Sequence, residues 1–162
     1  MDKRYRQWTD ANQDRVWSLA LHLLGDRGEA EDVAQEAFTR LWQQREDMSD
    51  ERAGPWLLRV TRNLCLDRLR QRRPQVDLED AALESAEHGP ADRLGQSRLQ
   101  QRLRAAIARL QEPYRSLVIL RDIQQHSYDE LAGVTGLSLP QVKTYLHRAR
   151  QQLKQQLLEW QT

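Results

Sequence analysis

Residues Ser127 to Leu153, SYDELAGVTGLSLPQVKTYLHRARQQL, leave this chain few folds to choose from. They predict two helices joined by a tight turn. Leu131, Ala132 and Val134 give the first helix an apolar side, and Gly136 supplies the permissive backbone of the turn. Ser138 stands where the second helix needs its N-cap. Gln141 follows three residues later, completing an S-x-x-Q capping box, and Pro140 falls in the first turn, where a missing N–H costs little. Val142, Leu146, Ala149 and Leu153 then recur at helical spacing and form an inward stripe. The opposite face carries Gln141, Lys143, Thr144, His147, Arg148 and Gln151, all donors, with no acid until Glu159.

A helix that lies in a major groove needs this division. One side packs on its own domain, and the other offers amide and cationic donors to base edges and phosphates. Ala132, Gly136 four residues on and Val142 six beyond that resemble the helix-turn-helix pattern. The plain alternative is a helical hairpin whose basic face is merely solvated. Cap, small residue, glycine and one-sided charge agree on DNA, with Ser138, Gln141, Lys143, Thr144, His147, Arg148 and Gln151 as the contacts.

At 162 residues the chain suits one ordinary domain or two small ones. Its 39% hydrophobic and 30% charged residues fit small helical units with much surface. A net charge of +1 does not announce a nucleic-acid partner, so any such role must come from how charge is distributed. Cys65, the single cysteine, excludes an intramolecular disulfide and fits a reducing compartment. His22, His88, His126 and His147 are scattered, so no zinc site is expected. No apolar run approaches membrane-spanning length and Met1-Asp-Lys-Arg opens no signal peptide, so a cytoplasmic protein is expected.

From the N-terminus, residues 5–24 place Val16, Leu19, Ala20, Leu23 and Leu24 on one helical face, preceded by Tyr5 and Trp8. Gly25-Asp-Arg-Gly28 is expected to break that helix. A second runs from about Glu29 to Gln44, with Val33, Ala37 and Leu41 inward, Phe38 and Trp42 alongside, and acids in its first turn that suit the helix dipole. Glu46 to Gly54 reads as a polar turn. A third helix is expected to start near Pro55 and Trp56 and to reach Arg73. It carries Arg59, Arg62, Arg68, Arg70, Arg72 and Arg73 against one acid, Asp67, together with Asn63. Arginines beside an aromatic suit single-stranded nucleic acid, because bases stack on the ring while guanidiniums hold phosphates. Trp56 as an ordinary core residue is the competing reading, and the two can coexist.

Residues 74–92 hold Asp77, Glu79, Asp80, Glu84, Glu87 and Asp92 with no Lys or Arg, and predict a flexible acidic linker. Leu99, Leu103, Ala106, Ile107 and Leu110 then mark a helix, and Tyr114–Ile123 another. Leu157, Leu158 and Trp160 form a candidate docking ridge at the end. No alternating β-like run occurs. The expected architecture is all-α: two small helical domains, 1–73 and 93–162, joined by the linker.

The order of three stretches now matters: AEDVAQEAFTRLW, WLLRVTRNLCLDRLR and, past the linker, LQEPYRSLVILRDIQQHSYDELAGVTGLSLPQVKTYLHRARQQL. Together they resemble the extracytoplasmic-function sigma factors, the small two-domain members of the bacterial sigma-70 family. The resemblance implies a sigma-2-like domain at 1–73 and a sigma-4-like domain at 93–162. It further implies that Asp32, Gln35, Glu36, Phe38 and Leu41 grip a coiled coil of core RNA polymerase, Phe38 anchoring the contact or serving the core. Residues 45–54 match the family segment that captures a base flipped from the −10 promoter element. Trp56, Arg59, Arg62, Asn63, Arg68 and Arg70 would hold the opened strand, Asn63 reading a base edge. The second domain would read the −35 element as duplex. An anti-sigma factor that covers these faces is a further expectation.

Two departures from the family stand out. Pro140-Gln141 replaces the common Gly-Thr before the recognition-helix valine, so base assignments do not transfer. Trp56 also stands nearly alone where housekeeping relatives have several strand-opening aromatics, which implies weaker melting and stricter promoter demands. The alternative function is a stand-alone helix-turn-helix regulator on operator DNA, which leaves the acidic face of 32–36 without a role. An enzyme is not expected: no paired catalytic carboxylates, glycine-rich phosphate loop or nucleophile motif occurs, and Cys65 reads as a buried structural thiol. No cofactor or metal is expected.

Overall fold

A computed structural model describes residues 2–72 and 97–159. The expected linker at 74–92 and Trp160 of the expected ridge lie outside the described residues. The chain divides into two compact units, Met1–Arg70 and Gln71–Thr162. All described elements are helical, as the sequence predicts. They are α1 (Lys3–Leu24), α2 (Arg27–Gln43), a 3-10 turn (Arg45–Asp47), α3 (Asp50–Arg72), α4 (Arg98–Arg109), α5 (Tyr114–Val118) widening into a π-helical turn (Ile119–Ile123), α6 (Tyr128–Thr135) and α7 (Leu139–Glu159). Among the described residues no helix is long and apolar enough to cross a membrane.

In the first unit α1 packs along α2. Val16, Leu19, Ala20 and Leu23 of α1, Val33, Ala37 and Leu41 of α2, and Leu57, Leu58 and Cys65 of α3 are buried. Each fully buried Leu or Val contributes about 1.5–3 kcal/mol, the main offset to the entropy of ordering. Gly25 ends α1 in the left-handed conformation, φ 71°, and Asp26 immediately caps α2 by accepting from the Glu29 N–H at 3.0 Å. The expected break is therefore two residues wide, Gly25 and Asp26, and Gly28 belongs to the first turn of α2.

The third helix starts at Asp50, earlier than expected, and the polar turn is confined to residues 44–49. Pro55 looked like a helix start because it cannot donate to the preceding turn. The helix instead accepts that one lost bond. Beside it, a Cβ on Gly54 would lie 3.0 Å from Asn12 Oδ1, so the glycine lets α3 close on α1.

In the second unit α7 packs against α4, α5 and α6. Val142, Leu146, Ala149 and Leu153 form its buried stripe, and Leu117, Val118, Leu120, Leu131 and Val134 of the neighbouring elements are buried too. Leu99 and Leu103 of the expected helix are 65% and 38% exposed, because only the second half of α4 (Ala106, Ile107) reaches the buried layer. The expected single helix at Tyr114–Ile123 widens after Val118, where Gln124 N–H reaches back to the Ile119 carbonyl at 3.0 Å.

His126 follows, 3% exposed, with Nδ1 3.2 Å from Glu130 Oε2 and Nε2 2.9 Å from Gln124 Oε1. Glu130 closes a capping box with Ser127 at the start of α6. Burial pushes the Glu130 carboxyl up, but the Ser127 backbone and hydroxyl and His126 outweigh it, so its pKa lies below the usual carboxylate range. A depressed folded-state pKa means the contribution is complete above that range and fades as pH falls through it. Glu130 is 43% exposed, so the effect is about 1 kcal/mol or less. Glu130→Gln should flatten the loss of urea stability with falling acidic pH; a variant as acid-sensitive as the parent would discard this assignment.

Candidate nucleic-acid and partner-binding surfaces

The first surface is α7. Ser138 and Gln141 form the expected capping box: Gln141 N–H donates to Ser138 Oγ at 3.3 Å, and Ser138 N–H to Gln141 Oε1 at 2.9 Å. The cap holds the Gln141 amide at the positive end of the helix, whose first turn carries no acid. With Oε1 engaged by the cap, the NH2 group is the donor the side chain has left to offer. Gln141, Lys143, Thr144, His147, Arg148 and Gln151 are all exposed, opposite the buried stripe. Tyr145 braces this face: its ring meets Tyr114 edge-on at 5.8 Å, and the Arg148 guanidinium lies 5.7 Å from its centroid.

Sequence reading passed over Arg150. Its guanidinium forks onto Asp122, Nη2 to Oδ1 at 2.6 Å and Nε to Oδ2 at 3.2 Å, tying α7 to the turn after α5. The Asp122 hydrogen bond keeps the guanidinium pKa above its ordinary value. A separation of 28 residues hides such a pair from any local pattern.

The second surface is on α3. Helical advance of about 100° per residue puts Trp56, Arg59, Asn63 and Arg70 on one side. Trp56 is half-buried and Arg59 and Asn63 are exposed. Arg70 also lies here, paired with Asp67 at 2.9 Å. Arg62 departs from the expectation of a strand contact. It sits on the flank of the core side, 8% exposed, and offers a strand almost no surface. Arg68 lies on the other flank, half-buried, its Nη1 4.0 Å from Asp32 of α2. Arginine-rich spacing alone did not separate these faces.

The third surface is α2. Asp32, Gln35 and Glu36 are exposed, with Glu36 held by Arg40 at 3.0 Å. Phe38 is half-buried, but Leu41 is fully buried, so it serves the core and not a partner contact. Leu41 points about opposite to Asp32, given the helical advance of about 100° per residue. Gln35 and Phe38 instead line a groove of about 710 Å³ between α1 and α2, shared with Tyr5, Thr9, Trp17 and Thr39. Trp17 went unnoticed in the sequence because it lies one step off the buried stripe of α1.

Among the described residues no group of His, Cys, Asp and Glu is placed to hold a metal ion. Cys65 is buried and unbridged.

Residues 8–75 match the family described as Sigma-70 region 2, and residues 100–153 match Sigma-70, region 4. The ECF RNA polymerase sigma factor SigW of Bacillus subtilis is 31% identical over 160 residues, spanning 91% of this chain and 86% of that protein. The corresponding SigE of Mycolicibacterium smegmatis is 37% identical over 148 residues, 89% of this chain but 58% of the longer relative. The Bartonella quintana sigma factor RpoE, solved in complex with the anti-sigma factor NepR, has the same fold, with a TM-score of 0.74 at 20% identity over 96% of this chain and 98% of that one.

Proposed function

This chain belongs to the extracytoplasmic-function (ECF) sigma factors, and on that premise we propose that it binds core RNA polymerase in the cytoplasm and directs it to promoters by recognising −10 and −35 elements. The observation that carries the reading is the presence of both sigma-70 regions in order, each with a donor-rich helical face. Sigma factors do this without covalent chemistry.

Asp32, Gln35 and Glu36 would meet a basic polymerase helix, with Phe38 and the groove beside it seating apolar side chains. In the −35 duplex, α7 would lie in the major groove with Gln141, Thr144 and His147 toward base edges and Lys143, Arg148 and Gln151 toward the backbone. On the opened −10 strand, Trp56 would stack a base while Arg59 and Arg70 hold phosphates and Asn63 reads an edge. Stacking yields about 1–3 kcal/mol per base, comparable with the cost of unpairing it. Arg62 is assigned to packing, and Arg68 to the contact between α3 and α2. An anti-sigma partner, as in the Bartonella complex, would cover the exposed faces.

Transcription from a promoter library by core polymerase plus this protein tests the proposal. Discrete start sites sharing two spaced elements support it; no start site, together with no affinity for core polymerase, ends it. Arg148→Ala should weaken binding to a −35 duplex and reduce the slope of log affinity against log salt by about one unit. An unchanged slope would remove Arg148 from the phosphate contacts.

A further inference from the structure

The segment between α2 and α3 is held from a distance by the first two turns of α1. Arg4 Nη2 donates to the Met48 carbonyl at 2.7 Å, and Trp8 Nε1 donates to Asp50 Oδ1 at 2.8 Å. These bonds bridge 44 and 42 residues of sequence. The Arg4 guanidinium lies 4.8 Å over the Trp8 ring and 3.9 Å from Asp50, so the two anchors brace each other. At the other end of the segment Tyr5 donates to the Phe38 carbonyl at 2.9 Å and meets Trp42 edge-on at 5.0 Å. Arg45 then stacks on Trp42 at 3.7 Å and donates to its carbonyl at 2.8 Å.

We propose that Arg4 and Trp8 are positioning residues for the segment 44–50, setting the geometry with which it selects an unpaired −10 base. The inference rests on the sigma-factor reading above.

Three observations carry it. The backbone here has little regular structure of its own: one 3-10 turn, then Met48 in an extended conformation. Its carbonyl lies outside both helices, and Arg4 supplies a charged donor to it. The Met48 side chain is 5% exposed, so the junction is seated while Gln44, Glu46 and Asp47 project. The segment is also acidic, with Glu46, Asp47 and Asp50, and Glu51 follows it directly. Such a run repels phosphates, so it serves DNA only if held where a base, and not the backbone, meets it. Arg4 and Arg45 bring the compensating charge. A site that discriminates bases must be fixed to about half an ångström, which local turns alone do not secure.

The test uses the full-length protein with core polymerase. The dissociation constant is measured for non-template −10 oligonucleotides carrying each of the four bases at the position of strongest preference. Variants are Arg4→Gln, at an exposed position, and Trp8→Phe, which keeps an aromatic ring but loses the N–H. Affinity for a −35 duplex and thermal unfolding are followed alongside. Both variants should lower the ratio between best and worst base by about tenfold, with −35 affinity unchanged. Arg4→Lys should recover part of the ratio, because an ammonium still reaches a carbonyl. If affinity falls equally for all four bases with the ratio intact, Arg4 and Trp8 only support the fold and the proposal is wrong. Failure of the wild-type complex to prefer any base would overturn the −10 reading and this inference with it. Wild-type selectivity undiminished in both variants would overturn this inference alone.

Discussion

Leu146→Ala is expected to cost about 2–5 kcal/mol and to leave the second unit largely unfolded near room temperature. Leu146 is 1% exposed and stands mid-stripe between Val142 and Ala149 on α7, which packs against α4, α5 and α6. Truncation leaves a cavity whose walls belong to three helices, and helices held by caps relax poorly into such a void. A domain of this size has only about 3–9 kcal/mol in total, so one side chain accounts for a large share. Urea unfolding followed by circular dichroism should show an early transition absent from the parent. Binding to a −35 duplex should disappear with it, while affinity for core polymerase through the first unit persists in part. An unshifted transition would show that the stripe is not the keystone of that unit.

Asp32→Arg is the second large effect, and it should fall on binding, not on folding. Asp32 is exposed and meets Arg68 only at 4.0 Å, a contact worth about 0–1 kcal/mol. If α2 faces a basic polymerase helix, the reversal puts like charges together, which costs several kcal/mol and should lower core affinity by at least about a hundredfold. Competition against labelled sigma factor for core polymerase reads this directly, with thermal unfolding as the control. Full affinity in the variant would move the polymerase contact off this face.

The contrast between these two residues shows how far the sequence could be read. The inward position of Leu146 follows from a period of 3.6, and the Ser138–Gln141 box follows from a spacing of three. Both are local rules, and both hold. The same rules misplaced the start of α3, because Gly54 and Pro55, viewed alone, look like the end of a turn and the start of a helix. In the fold Gly54 is where α3 meets Asn12 of α1, and burial of Ala53, Leu57 and Leu58 sustains the helix through the proline. Period placed Leu41 inward, as observed, and only the resemblance put it on the partner face; nor does the period that marks α4 reveal that Leu99 is exposed. Exposure depends on where neighbouring elements begin and end, and a single helix carries no record of that.

What the sequence by itself determined is the helical content, the caps, the donor face of α7 and the family, since each is written in residues a few positions apart. Only the tertiary structure decided which arginines of α3 reach solvent, that Arg150 is tied to Asp122, and that Arg4 and Trp8 grip a segment more than forty residues away. The physical reason is one of range. Hydrogen-bonded turns are settled between near neighbours on the chain, whereas burial and ion pairing depend on what the folded chain brings alongside.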